Sequence, residues 1–489
     1  MNILEAIADP KLFEPHFRRG GASWSAWKAF LAAMFGLPLS EAEGEIFRAC
    51  TGRAAPREGG FNEAWLVCGR RAGKSFVLAV IAVFLACFHD YRRFLGPGER
   101  GTVMVIATDR KQARVIFRYI RGLMRASEML WMLVERELSD QLDLDNGVTI
   151  EVQTASYKAT RGYTIVAALC DEIAFWPTED ASDPDYAVLD ALRPGMGTIP
   201  NAMLLCASSP YAQRGALYDA FRKWHGREDA PALVWRAETR AMNSTFPQRT
   251  IDEAMERDLA SASAEYLAIF RQDIEAWVSR EAVEACTARG VFERGPVTGQ
   301  HYLGFVDPSG GASDSMTMSV AHQDRAEKRA VLDCVRERRA PFSPAEVVEE
   351  FAGVFRTYGI RRIVGDRYAG EFSREPFRLR GIDYQVSDKP KTDIYRDVLP
   401  VINSKRCELL DLPRLAAQLC GLERRTARGG RDSIDHPPGG RDDVANSAMG
   451  AVLLASSGRQ PLVISKEALQ RAKFGPYTAR NRAWGLRAV

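Results

Sequence analysis

The residues GRRAGKS at 69–75 set a lysine and a hydroxyl just behind a glycine-containing loop. Between a strand and a helix, such a loop binds phosphate, because the amides of the helix's first turn have no partners of their own. Lys74 would reach the β- and γ-phosphates, and Ser75 would hold magnesium. The pattern departs from GxxxxGK[ST] in one place: Cys68 takes the first glycine position, so Gly69 is displaced by one and the turn is made by Gly69, Arg70, Arg71, Ala72 and Gly73. A chance GKS is the competing explanation, and the flanking AWLVC and FVLAVIAVFLACF argue against it.

A second apolar run, TIVAALC, ends in adjacent carboxylates. Asp171 is placed to ligate magnesium through water, and Glu172 to polarise the water that attacks a γ-phosphate. A surface turn would also end in acids, but ligands of open α/β sheets gather at the carboxyl ends of strands. A third run, AMLLCASSP, ends in Ser208 and Ser209, which either sense the γ-phosphate or form a plain turn. Arg161, in SYKATRGY, either stabilises transferred charge or is a solvated surface arginine.

A separate set of acids lies further along. Asp307 follows YLGFV, Asp366 follows RRIVG, and Asp442 and Asp443 open the last apolar helix. Carboxylates so placed can converge on two divalent metals that clamp both oxygens of a phosphodiester displacement. Oxygen ligands select magnesium or manganese over zinc. Capping alone also puts aspartate at helix starts, so spacing leaves both explanations open. Asp314 and Asp388 are further candidate ligands, His436 in DHPPGG is a ligand or a loop residue, and Lys389 contacts DNA phosphate or is simply solvated.

These residues need elements to position them. From Trp65 to about Ala207, short apolar runs alternate with helical segments, which predicts parallel strands covered by helices in an α/β nucleotide-binding architecture. Residues 1–60 carry helical periodicity around Trp24, Trp27, Phe30 and Phe35 and suggest an N-terminal helical appendage. A polar helical stretch over 250–277 leads to a Gly- and charge-rich linker, 286–300, and a second unit opens at His301. That unit holds strands at YLGFV, RAVLDCV and IRRIVG and a helix that Ser343 can cap. Beyond Ser457 the tail 458–489 is basic, with seven Lys or Arg against Glu467.

A chain of 489 residues has room for about two to four domains. Its 46% apolar and 26% charged residues exclude collagen-like and mostly disordered classes. Sixty-six basic against 63 acidic residues leave a net charge of +3, too small to name a nucleic-acid partner from bulk charge. Nine cysteines without CxxC or zinc spacing suggest reduced thiols in a cytoplasmic compartment. The start MNILEAIADPKLFEP lacks the basic and apolar regions of a signal peptide. The longest apolar stretch, 76–88, is too short to span a bilayer.

Taken in order, GRRAGKS, DEIAFW, CASSP, GFVDPSGG, VGDRYAG and GGRDDVANSA resemble the large terminase subunit of tailed bacteriophages, a DNA-packaging motor and nuclease. The resemblance covers most of the chain. It implies an N-terminal RecA-like (ASCE) P-loop ATPase domain over 61–285, with 1–60 appended, joined by 286–300 to an RNase H-like nuclease domain over 301–457. It makes Lys74 and Ser75 phosphate and magnesium contacts, Asp171 the metal-site acid, Glu172 the catalytic base, and Ser208 and Ser209 the coupling motif. Arg161 becomes a trans-acting arginine, and Arg70 and Arg71 suit the family's arginine-rich loop. Asp307, Asp366 and the Asp442/Asp443 pair become the nuclease metal cluster, with either member of the pair as the more direct ligand.

The cofactors so implied are ATP with Mg2+, and two Mg2+ or Mn2+ ions for cleavage. The implied partners are double-stranded DNA, the portal protein of the procapsid and the small terminase subunit, with a homo-oligomeric ring on the portal and no membrane, in the cytoplasm of the bacterial host. A helicase-nuclease of repair or replication is the alternative, but the sequence has no trace of a second helicase core. A non-catalytic scaffold is opposed by intact Lys74, Asp171, Glu172, Asp307 and Asp366.

Overall fold

The computed structural model describes residues 1–17, 24–155, 162–176, 184–312, 314–366, 374–426, 432–437 and 440–457. In chain order its strands are β1 (Glu63–Cys68), β2 (Gly101–Ala107), β3 (Val134–Glu137), β4 (Gln141–Leu144), β5 (Val148–Thr154), β6 (Thr164–Asp171), β7 (Met203–Ser208) and β8 (Leu233–Ala237). There follow β9 (Ile274–Ala276), β10 (Thr287–Ala288), β11 (Tyr302–Asp307), β12 (Met316–Asp324), β13 (Arg329–Arg338), β14 (Arg362–Gly365), β15 (Asp383–Val386), β16 (Cys407–Leu410), β17 (Glu423–Thr426) and β18 (Asp432–Asp435).

The first eight strands form one sheet in the order β3-β4-β5-β2-β6-β7-β1-β8. From β5 to β8 the neighbours run parallel, and β3 and β4 add an antiparallel edge. Parallel strands must be covered on both faces, and β2 is accordingly buried at every position. The helix Lys74–Phe88 is apolar all round and buries every residue from Val77 to Ala86. The helix Arg110–Ala126 instead buries one stripe, Ile116, Phe117, Ile120, Leu123 and Met124, and Asp109 caps its start.

Residues 1–60 are more than the expected appendage. Trp27, Phe30 and Phe47 share a core with Leu66 and Trp235, and the Phe30 and Trp235 rings lie 5.5 Å apart at 75°. The segment covers the β1–β8 side of the sheet, which would otherwise expose apolar strands to water.

The second sheet runs β10-β16-β13-β12-β11-β14-β15, with β11, β12 and β13 antiparallel and the outer pairs parallel. The helix Asp443–Ser456 lies across it. A Cβ at Gly450 would sit 2.5 Å from the Phe305 ring, so glycine there lets the helix approach β11 closely. That approach carries Asp443 and Asn446 over the end of β11.

The expected helical stretch 250–277 resolves into helices Gln248–Arg257 and Leu259–Leu267 and then the strand β9. The expected linker 286–300 is also not free of the second unit: β10 pairs with β16, β9 pairs with β17, and Trp277, Val278, Val283 and Cys286 belong to the second core. Strands this short pair with partners more than a hundred residues away and leave no period to read. Among the described residues no helix is long and apolar enough to cross a membrane.

Where loop 209–214 meets the small three-stranded sheet β18-β17-β9, Glu423 of β17 is fully buried. Tyr211 donates to its Oε2 at 2.7 Å, Arg425 lies 3.0 Å away, and Arg214 binds Oε1. Two of its three partners, Tyr211 and Arg214, come from loop 209–214, so full satisfaction requires that loop to stay against β17. Glu423→Ala is expected to cost about 1–3 kcal/mol, discounted because both arginines are partly solvated. The check is a lower thermal unfolding midpoint for the variant than for the parent.

Candidate functional site

A cavity of about 770 Å³ opens at the carboxyl end of the first sheet, lined by Lys74, Ser75, Gln112, Glu172, Ser209 and Asn243 among others. The turn ahead of it is held from the protein side. The carbonyls of Arg70, Arg71 and Ala72 accept from Thr239 Oγ1, Asn243 Nδ2 and Trp27 Nε1 at 2.8, 3.0 and 2.8 Å. With the carbonyls engaged, the amides of the following helix's first turn are the groups left for an anion. Gly73 stands ahead of that helix at φ +102°, a conformation that glycine adopts without strain. Arg70 is tied to Glu265 at 3.0 Å, and Arg70 and Arg71 line the cavity.

Lys74 is buried. Its Nζ lies 3.0 Å from the Cys68 carbonyl, 3.2 Å from that of Gly69, 3.1 Å from Ser209 Oγ and 3.3 Å from Glu172 Oε1. Asp171, at the end of β6, accepts from Ser75 Oγ at 2.9 Å. Its second oxygen, Oδ1, is buried without a donor among the described residues. Burial, then the Glu172 charge, push Asp171 up to about 6, against the opposing pull of Gln112, Lys74 and Ser75. A half-buried hydroxyl beside a buried carboxylate with one oxygen unsatisfied fits a hard divalent cation.

Glu172 sits at φ +51°, an uncommon conformation for a side-chain-bearing residue and one that clusters at functional sites. Its Oε2 accepts from the Ser209 amide and lies beside Ser208 Oγ, both at 3.0 Å. The loop, the acid pair and the serine pair are thus joined in one network through Lys74. Arg161 lies outside the described residues, as does the basic tail 458–489.

At the second site, Asp307 ends β11, Asp366 follows β14, and Asp443 opens the last helix. Asn446 lies between them, donating to Asp366 Oδ2 at 2.7 Å and bonded also to Asp307. Asp307 keeps slight solvent access but is hemmed in by protein, and burial raises it well above the carboxylate range. The Asn446 hydrogen bond opposes that rise, and the charges of Asp366, Asp443 and Asp442 add to it. Asp443 is pushed to about 6 by burial and the Asp442 charge, with the Ser315 amide pulling it back and Asp314 adding to the rise.

Asp442 is held differently from its neighbour. Tyr395 donates to its Oδ2 at 2.8 Å, and Lys391 Nζ lies 3.1 Å away. Lys391 also binds Asp435 at 2.7 Å, so its ammonium already occupies the group formed by Asp435, His436 and Asp442. Asp314 is exposed, as is Asp388. Lys389 pairs with Asp397 at 2.5 Å, and His436 Nδ1 lies 2.9 Å from the Pro437 carbonyl. Sequence reasoning passed over Gln112, Asn446, Lys391 and Tyr395. Of these only Asn446 carried a signal, one turn beyond Asp442 and Asp443.

The raised carboxylates fix a pH dependence. Asp171 and Asp443, near 6 when folded, hold protons that the unfolded chain has lost. Their contribution favours the fold at low pH and is lost as pH rises through about 6. A bound cation relieves the same repulsion. Mg2+ is therefore expected to raise the thermal midpoint more at about pH 8 than at about pH 5. Equal shifts at both pH values would contradict this.

The first site falls within a stretch that matches a known family. Residues 66–295 match the family described as terminase large subunit, T4likevirus-type, N-terminal. No curated protein matches the chain. Among solved structures, the large terminase of bacteriophage HK97 aligns at 16% identity and a TM-score of 0.37, covering 89% of this chain and 100% of that one. The large terminase of a thermophilic bacteriophage aligns at 12% identity and 0.38, covering 88% and 97%. The large terminase nuclease of thermophilic phage G20c aligns at 14% and 0.30, covering 37% and 97%. These likenesses are distant, and the match over 66–295 contains the whole loop, the acid pair and the serine pair. By that match residues 66–295 are similar to the N-terminal part of the large terminase subunit.

Proposed function

We infer that this chain is the ATP-driven motor that moves double-stranded viral DNA into a procapsid and the metal-dependent endonuclease that cuts the concatemer. The observation that carries the inference is a pair of acidic sites at strand ends in two separate sheets of one chain. One lies beside a lysine-bearing phosphate loop, and the other is a cluster of carboxylates with no such loop.

In the first site, Lys74 and the loop 69–75 bind the β- and γ-phosphates of ATP. Ser75 and Asp171 hold Mg2+, and Glu172 takes the proton of the attacking water. Magnesium, when bound, neutralises charge developing on the phosphate oxygens. Ser208 and Ser209 link Glu172 and Lys74 to loop 209–214 and so to Glu423. Arg161 of a neighbouring subunit completes the site.

In the second site, Asp307, Asp366 and Asp443 carry one or two Mg2+ or Mn2+ ions, which supply Lewis-acid stabilisation of the phosphodiester displacement. Asp442 acts through Lys391 and Tyr395, a positioning role supported by the engagement of both its oxygens. The packing of β9 and β10 supports dividing ATPase from nuclease near residue 273, ahead of the 286–300 boundary. The portal, the small subunit, a ring of copies and the host cytoplasm follow from the motor role.

The test is plasmid cleavage with Mg2+ or Mn2+ and ATP turnover measured on the same purified protein. Both activities are expected. ATP turnover without cleavage under either metal would remove the nuclease half.

A further inference from the structure

Gln112 belongs to the first turn of the helix Arg110–Ala126, and its backbone N–H donates to the capping Asp109 Oδ1 at 2.9 Å. The cap fixes where the side chain enters the cavity. Its Nε2 donates to Asp171 Oδ2 at 3.0 Å and to Ser75 Oγ at 3.3 Å. Facing a carboxylate, the amide must present its N–H2 side. Asp171 Oδ2 therefore takes both Gln112 and Ser75, while Oδ1 stays buried and unpartnered among the described residues.

We propose that Gln112 is a positioning residue of the magnesium–nucleotide site, anchoring Asp171 by Oδ2 so that Oδ1 is the acceptor left for the ion's water and Ser75 stays within reach. This rests on the reading of loop 69–75 as a nucleotide site. A neutral donor suits that role, because it orders the carboxylate without cancelling the charge that attracts the cation, as a lysine there would. Partners one step outside a metal's ligands commonly set its affinity by fixing ligand orientation. The same contact couples the site to a long helix packed on Lys74–Phe88, so loss of the ion or of Gln112 is felt by both helices.

The experiment is binding of a fluorescent methylanthraniloyl-ATP to the full-length protein across a Mg2+ series and in EDTA, for the parent, Gln112→Met and Gln112→Ala. The Mg2+ concentration for half-maximal binding is expected to rise about 10–100-fold in both variants. Affinity in EDTA is expected to match the parent, while the thermal midpoint in EDTA falls in both variants, because the buried Asp171 loses a donor. An unchanged Mg2+ requirement, or equal weakening with and without Mg2+, would make Gln112 a structural tie and overturn the proposal. If the parent itself binds nucleotide without regard to Mg2+, the nucleotide-site reading fails first, and that failure is visible before any variant is compared.

Discussion

Replacing Glu172 by Gln is expected to lower ATP turnover by about 10²–10⁴-fold while nucleotide binding stays near the parental level. The expectation comes from what holds the side chain. Glu172 Oε2 accepts from the Ser209 amide and Oε1 faces Lys74, so an isosteric amide keeps the size and one acceptor but cannot take a proton. The left-handed backbone at this position is unchanged by the substitution, which removes misfolding as the easy explanation. Lys74 meanwhile loses a competing anion, so its hold on phosphate is not weakened. In the parent, Lys74 must divide its charge between Glu172 and an arriving phosphate, and Ser209, bonded to both residues, feels the exchange. Turnover and methylanthraniloyl-ATP binding on one sample check this. Parental turnover in Glu172→Gln would strip the residue of its role as base.

The first site was legible because its pieces are contiguous. GRRAGKS, DE and SS each sit at one strand end, and strand ends can be read from apolar runs. Gln112 was not, since its meaning lies in reaching Ser75, 37 residues away, and Asp171, 59 residues away. The Asp442/Asp443 doublet shows the same limit. Two adjacent aspartates are equivalent as text, and their partners separate them: Lys391 and Tyr395, brought in by the helix Lys391–Asn403, hold Asp442, and the Ser315 amide donates to Asp443. The strands β9 and β10 were unreadable for a related reason, because they have only three and two residues and pair with the distant β17 and β16. The helical layer at 1–60 was visible as helices, but its burial depends on Trp235, far along the chain.

Asp307→Ala is expected to reduce plasmid cleavage by roughly 10³-fold or more while ATP turnover remains parental. Several kcal/mol of metal-based stabilisation, at about 1.4 kcal/mol per decade, give that order. The independence follows from separation into two sheets, with Asp307 at the end of β11 and the nucleotide cavity at the end of β1, β6 and β7. A second readout distinguishes loss of a ligand from loss of structure. Asp307 is a carboxylate that burial and three neighbouring aspartates make costly to ionise. Asp307→Asn removes that cost, so the metal-free protein is expected to unfold at a higher temperature than the parent near neutral pH. The part of the Mg2+-induced stabilisation that comes from the second site should shrink at the same time. A damaged fold would lower the metal-free midpoint instead. Full cleavage by Asp307→Ala would take this carboxylate out of the metal cluster and leave Asp366 and Asp443 to account for any cutting.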